Sequence, residues 1–192
     1  MIKVTSPTII GDEFDYLEKA IKNSDLSGAG LYNTKCQDWF DKFFKKGKSL
    51  TTSSCSHALD MSALIIDVQP GDEIIMASYN FVSAANSFAL RGAKIIFLDI
   101  SPKDLNIDTQ HIESAISIRT KAIVLTHYAG IPCDMSVICK IAKNNNITII
   151  EDCAHALGSE LNNKLIGTFG DISAFSFHSS KNITSGGEGG MI

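Results

Sequence analysis

The chain has 192 residues, 44% of them hydrophobic and 20% charged, with a formal net charge of −4. That balance suits a globular protein with one sizeable core and argues against nucleic acid or an anionic membrane as partner. No stretch reaches the roughly 18 continuous apolar residues of a membrane span, and Met1-Ile-Lys-Val-Thr-Ser-Pro-Thr8 lacks a signal-peptide apolar core, so a cytoplasmic location is expected.

Residues 12–24 repeat apolar positions at Phe14, Leu17 and Ile21, which predicts an amphipathic helix. Ser27-Gly28-Ala29-Gly30 reads as a loop, and Cys36, Trp39, Phe40, Phe43 and Phe44 as the buried stripe of a second helix. From residue 48 strand and helix alternate. Strands are predicted at 48–52, 73–77, 94–99, 121–126, 147–151 and 172–177, and helices at 56–66, 81–90, 108–117 and 134–144. Pro70-Gly71-Asp72, Arg91-Gly92 and Asn144-Asn145-Asn146 supply turns. Runs such as 122–125 and 147–150 are apolar on both faces, which predicts an α/β fold: a mostly parallel sheet with helices on both faces. Residues 1–192 are expected to form one unit, with N-terminal helices at about 12–45 and an α/β core at about 48–192. Ligands of such sheets lie beyond the carboxyl ends of the strands. Ser54–His57, Asn80–Phe81, Asp152–His155 and Ser176–Lys181 all fall there.

The cysteines, Cys36, Cys55, Cys133, Cys139 and Cys153, are odd in number and contain no Cys-x-x-Cys pair, and no His-x-x-x-His spacing occurs. Reduced thiols and no metal site are expected. The chemistry gathers instead around Phe175-Ser-Phe-His-Ser-Ser-Lys-Asn182, followed by Gly186-Gly-Glu-Gly-Gly190. A lysine just past an apolar strand is placed to bind an aldehyde such as pyridoxal phosphate (PLP) as a Schiff base. Lys181 supplies that amine, and on release it can carry a proton at the substrate carbon. Asp152, closing an apolar run, can keep a pyridine nitrogen protonated; by itself it suits a helix N-cap better. His155 can reach a phenolic oxygen or serve as a packing residue. Phe81 can stack on the ring or sit in the core. Ser53-Ser-Cys-Ser-His57 opens a predicted helix, so its backbone N–H groups and the Ser56 hydroxyl suit a phosphate, with Ser176 offering another hydroxyl. The glycine cluster lacks the spacing of a dinucleotide fingerprint.

At these residues the chain resembles the DegT/DnrJ/EryC1/StrS family of sugar-nucleotide aminotransferases. The lysine segment 175–190, Glu151-Asp-Cys-Ala-His-Ala156, Pro70-Gly-Asp-Glu-Ile-Ile75, Tyr79-Asn-Phe-Val82 and Gly92-Ala-Lys94 are similar to its motifs, in order, from about residue 5 to residue 192. The resemblance implies the large-domain part of the aspartate aminotransferase fold (fold-type I), with a further C-terminal domain that residues 1–192 do not contain, and homodimers in the full-length enzymes. It also implies roles: Lys181 as the Schiff-base lysine, Asp152 as the pyridinium partner, His155 at the phenolic oxygen, Phe81 on the ring, and Cys55, Ser56 and Ser176 at the phosphate. Cys55 stands where many members have glycine, and a backbone amide serves from either residue. Lysine at 181 argues against the branch that dehydrates sugars at C3. Gln69-Pro-Gly-Asp-Glu73, Phe88-Ala-Leu-Arg-Gly-Ala-Lys94 and His127-Tyr-Ala-Gly130 are similar to the branch that aminates dTDP-4-dehydro-6-deoxy-D-glucose with L-glutamate, giving dTDP-4-amino-4,6-dideoxy-D-galactose. Amination of another nucleotide-linked keto sugar, or a fragment acting only with a partner subunit, are the alternatives.

Overall fold

In a computed structural model, which describes residues 6–24 and 26–192, the apolar runs become neighbouring strands. β1 (Thr51–Thr52), β2 (Glu73–Ala77), β3 (Lys94–Leu98), β4 (Thr120–Thr126) and β5 (Thr148–Asp152) are followed by β6 (Glu160–Leu161) and β7 (Lys164–Leu165), then β8 (Ile172–Ser176) and β9 (Gly190–Met191). One seven-stranded sheet has the order β1-β9-β8-β5-β4-β2-β3, while β6 and β7 form a separate hairpin. From β3 to β8 every pairing is parallel; β9 joins β8 and β1 antiparallel. The connecting helices are α3 (Cys55–Ile65), α4 (Val82–Ala89), the single-turn α5 (Ile112–Ala115) and α6 (Met135–Asn145), after α1 (Glu13–Lys22) and α2 (Leu31–Phe44). No helix among the described residues is long and apolar enough to cross a membrane.

The side-chain period of two along each strand divides the core between the two faces. Ile74, Met76, Val124 and Ile150 pack with Ala58, Leu59, Ala84 and Phe88 of α3 and α4. Their alternates Ile75, Ala77, Ile123, Leu125 and Ile149 pack with Met135, Ile138 and Ile141 of α6. Each fully buried isoleucine contributes about 1.5–3 kcal/mol, so the sheet is held from both sides. A third cluster joins α2 to β8: Phe40 stacks on Phe177 with ring centroids 5.4 Å apart, and Phe44 meets Phe175 at 5.0 Å.

Several expectations need correction. The predicted strand 48–52 shrinks to two residues, and it pairs antiparallel with β9, inside a glycine run that carries no strand pattern. The predicted helix 108–117 is a 3-10 turn, Thr109–His111, followed by α5, because Ile116 turns extended (ψ 131°). The β6–β7 hairpin, unforeseen in the sequence, turns on Asn162 and Asn163, both at positive φ (53° and 61°) as a tight hairpin requires. α2 does not bury its whole stripe: Cys36 is exposed, and Trp39 is 54% exposed, stacked along the helix on Phe43. α1 is helical, yet Phe14, Leu17 and Ile21 are all exposed.

Candidate active site

A cavity of about 620 Å³ opens beyond the carboxyl ends of the parallel strands, and Cys55, Ser56, Phe81, Asp152, His155, Ser176 and Lys181 all line it. Each arrives there through its own element. After β1, Ser54 is extended (φ −166°, ψ 163°) and its hydroxyl accepts from the His57 N–H at 3.2 Å, capping α3. The first N–H groups of the helix, at Cys55 and Ser56, have no carbonyl within the helix to reach and so face an outside acceptor. Glycine at 190 brings β9 against this turn: a Cβ there would lie 2.6 Å from the Cys55 nitrogen. The Ser56 hydroxyl donates to Ser83 at the start of α4, 2.7 Å away. Phe81, at the N-cap position of α4, leaves its ring 72% exposed over the cavity.

Neighbouring carboxylates at the end of β5 do opposite things because successive strand residues face opposite ways. Glu151, fully buried, accepts from the backbone N–H groups of Gly167, Phe169 and Gly170 and from His127 Nε2. Burial alone would raise its pKa, but the hydrogen bonds from His127, Gly170 and Gly167 prevail and hold it below the ordinary carboxylate value. Asp152, 3% exposed, faces the cavity. It accepts from the Ala154 N–H (3.1 Å), the Thr126 hydroxyl (3.3 Å) and the Cys55 thiol (3.8 Å). No cation pairs with it among the described residues, and burial pushes its pKa up. Burial, then the charge of Asp152, raises the Cys55 thiol likewise, so that side chain stays protonated.

His155 accepts the Ala129 N–H at Nδ1 (3.2 Å); burial, and then the charge of Lys181, lower its pKa. Ser176 closes β8, its hydroxyl accepting from the His178 N–H at 3.4 Å. Lys181 is half-buried on a loop that the glycine-rich turn zips shut: Phe177 N–H donates to Gly189 O (2.8 Å) and Ser179 N–H to Gly187 O (2.9 Å). Asn80, one of the positions expected beyond the strand ends, also lines the cavity, whereas sequence reasoning missed Ser83, Thr126, Tyr128 and Glu188 on its wall. Tyr128 lay within a quoted motif, yet nothing in that motif showed which way it points. His127, Glu151 and Cys153 bring potential metal ligands together. Both imidazole nitrogens of His127 are already engaged, Nε2 with Glu151 and Nδ1 with the Cys133 N–H, which leaves no lone pair for an ion.

The donor set suits a ligand with two ends. A buried carboxylate without a cation fits a protonated ring nitrogen, and a capped helix N-terminus with hydroxyls beside it fits a phosphate. The amide nitrogen of Asn80, buried on the same wall, also lacks a partner among the described residues.

Known proteins share this fold. The chain is 37% identical over 191 residues to the GDP-perosamine synthase of Escherichia coli O157:H7, covering 100% of this chain and 52% of that protein. The aminotransferase TlmJ from Streptoalloteichus hindustanus has a TM-score of 0.94 at 33% identity, covering 100% of this chain and 52% of its own. PseC of Helicobacter pylori, an aminotransferase involved in the biosynthesis of pseudoaminic acid, has a TM-score of 0.92 at 30% identity, covering 98% of this chain and 51% of its own. The chain thus spans about half the length of the proteins it matches. Solved relatives include PLP- and PMP-bound forms, and PLP is the cofactor of these aminotransferases. With the match running from residue 7 to residue 192, the chain belongs to the DegT/DnrJ/EryC1/StrS aminotransferase family.

Proposed function

We propose that this chain carries the cofactor and lysine side of a PLP-dependent sugar-nucleotide aminotransferase. The observation that supports it most is the convergence of Lys181, Asp152 and the capped start of α3 on one cavity. In this reading Lys181 Nζ would hold the cofactor at its aldehyde end, and its free amine would be placed to move the proton at the substrate carbon. Asp152 holds the proton on the ring nitrogen, Phe81 covers the ring face, and His155 donates to the phenolic oxygen. The Cys55 backbone N–H with the Ser56 and Ser176 hydroxyls holds the phosphate. When bound, PLP supplies an electron sink for the carbanion that proton removal leaves.

The substrate proposed is dTDP-4-dehydro-6-deoxy-D-glucose with L-glutamate as amino donor, giving dTDP-4-amino-4,6-dideoxy-D-galactose; the likeness at 69–73, 88–94 and 127–130 supports it. A GDP-linked keto sugar is the second reading, favoured by the 37% identity to a GDP-perosamine synthase. The full-length enzyme is proposed to be a cytoplasmic homodimer.

The test is borohydride reduction of the chain with PLP, followed by peptide mass spectrometry. A phosphopyridoxyl label on Lys181 is expected, and none in Lys181→Ala. A label that persists in Lys181→Ala at the same yield overturns the assignment. Assays with dTDP- and GDP-linked 4-keto sugars, copurified partners included, then separate the substrates.

A further inference from the structure

The loop between β4 and α6 folds back over the site. Ala129 (φ 52°, ψ 23°) and Gly130 (φ 81°) both adopt left-handed backbone there. Glycine does so freely; alanine is strained by its Cβ, and strain of this kind persists only where surrounding contacts hold it. Those contacts converge on one residue, His155. The Ala129 N–H donates to His155 Nδ1 at 3.2 Å. The Tyr128 ring meets the imidazole at a steep angle (68°), with centroids 5.6 Å apart. A Cβ on Gly130 would come 3.1 Å from the His155 carbonyl oxygen. Tyr128 is itself anchored twice: its hydroxyl shares a 2.8 Å hydrogen bond with Tyr79, and its N–H donates to the Oδ1 of buried Asn106 at 2.9 Å.

A backbone N–H can only donate. The nitrogen it reaches therefore offers a lone pair, and the imidazole proton sits on Nε2. His155 lines the cavity, and no acceptor for Nε2 exists among the described residues.

We propose that the Tyr128–Gly130 turn is a positioning device for His155. It locks the imidazole in the Nε2–H form, so that His155 serves the bound ligand as a hydrogen-bond donor and takes no part in proton transfer. The identity of that ligand rests on the reading above; the tautomer does not. Both sides of the ring enforce it. An imidazolium would lose the Ala129 bond and would lie near the charge of Lys181, which Asp152 opposes. The neutral ring keeps the bond and leaves Lys181 as the group that moves the proton.

The experiment is 15N NMR of the imidazole in the cofactor-free chain, with His155 assigned by its loss in His155→Gln. The expected spectrum shows a neutral ring with its proton on Nε2 at neutral pH and above. A proton on Nδ1, an even mixture of tautomers or an imidazolium at neutral pH would overturn the proposal. In Gly130→Ala the turn is pushed off His155, so a tautomer mixture and a loss of PLP affinity of about tenfold are expected, the weight of one charge-assisted hydrogen bond. An unchanged tautomer in that variant, if folded, counts against the turn; if it does not fold, the spectrum of the parent chain decides. Because the tautomer is read without cofactor, this failure is distinct from that of the cofactor reading, which falls if borohydride leaves Lys181 unlabelled.

Discussion

Glycine 190 offers the sharpest test of how this site is built. A Cβ placed there would lie 2.4 Å from the Ser54 carbonyl carbon and 2.6 Å from both the Ser54 oxygen and the Cys55 nitrogen. All of these are backbone atoms, so no flexible side chain can swing aside. Gly190→Ala must drive β9 and the turn apart by roughly an ångström to restore ordinary contact, and overpacking of this kind costs about 1–3 kcal/mol. For a chain of this size each kcal/mol lowers Tm by about 2–4 °C, so a mid-range cost gives about 4–8 °C. The displaced atoms include the Cys55 N–H proposed to hold the phosphate, so PLP should also bind about tenfold more weakly. Gly187→Ala is the matched control: it lies in the same run, at ordinary φ, with nothing within 4 Å of its Cβ. It should stay within about 0.5 kcal/mol of the parent. Thermal melts followed by circular dichroism and PLP titrations of both variants give the answer. Equal losses in the two variants, or a parental Tm in Gly190→Ala, would refute the reasoning.

Glu151→Gln puts an amide among four hydrogen-bond donors and should cost about 3 kcal/mol in urea unfolding. Because the folded pKa of Glu151 is depressed, its stabilisation is complete above the unfolded value of about 4.3 and is lost as pH falls through the lower folded value; the variant should flatten that acid limb. Asp152 has the opposite sign. Its folded pKa is raised, so stability falls as pH rises from about 3.9 through the folded value, and cofactor-free Asp152→Asn should unfold at higher urea than the parent at neutral pH while losing turnover. A urea midpoint at or below the parent's would count against that account. Phe81→Ala removes an exposed ring, so Tm should hold within about 2 °C while PLP affinity drops several-fold; a large fall in Tm would show that Phe81 belongs to the core instead.

The parallel sheet was legible because runs such as 74–77, 122–125 and 147–150 are almost continuously apolar, a pattern that few folds other than a helix-covered sheet accommodate. The residues expected at the cavity were legible for a related reason: they sit where strands end, and strand ends in such a sheet share one edge. Short pairings were not legible. A two-residue strand such as Gly190–Met191 has no period to detect, and its role is set by a backbone approach to Ser54. Ala129 carries no sign of its left-handed backbone, because alanine is common everywhere and the contacts that hold it are tertiary. The exposed face of α1 makes the same point in reverse. Phe14, Leu17 and Ile21 correctly announce a helix, but periodicity says nothing of what, if anything, covers it.

The placement of β9 between β8 and β1 has a kinetic consequence. Thr51 pairs with Met191 and Thr52 with Gly190, across most of the sequence, whereas β2, β3, β4 and β5 meet partners much nearer in the chain. Contacts that close so long a loop carry the greatest entropic cost and form late. During synthesis α3 must wait, with its first turn unbraced, until residue 190 has been made and docked. The cavity is therefore expected to be among the last regions to take shape, and a molecule that binds there stabilises the finished sheet by mass action.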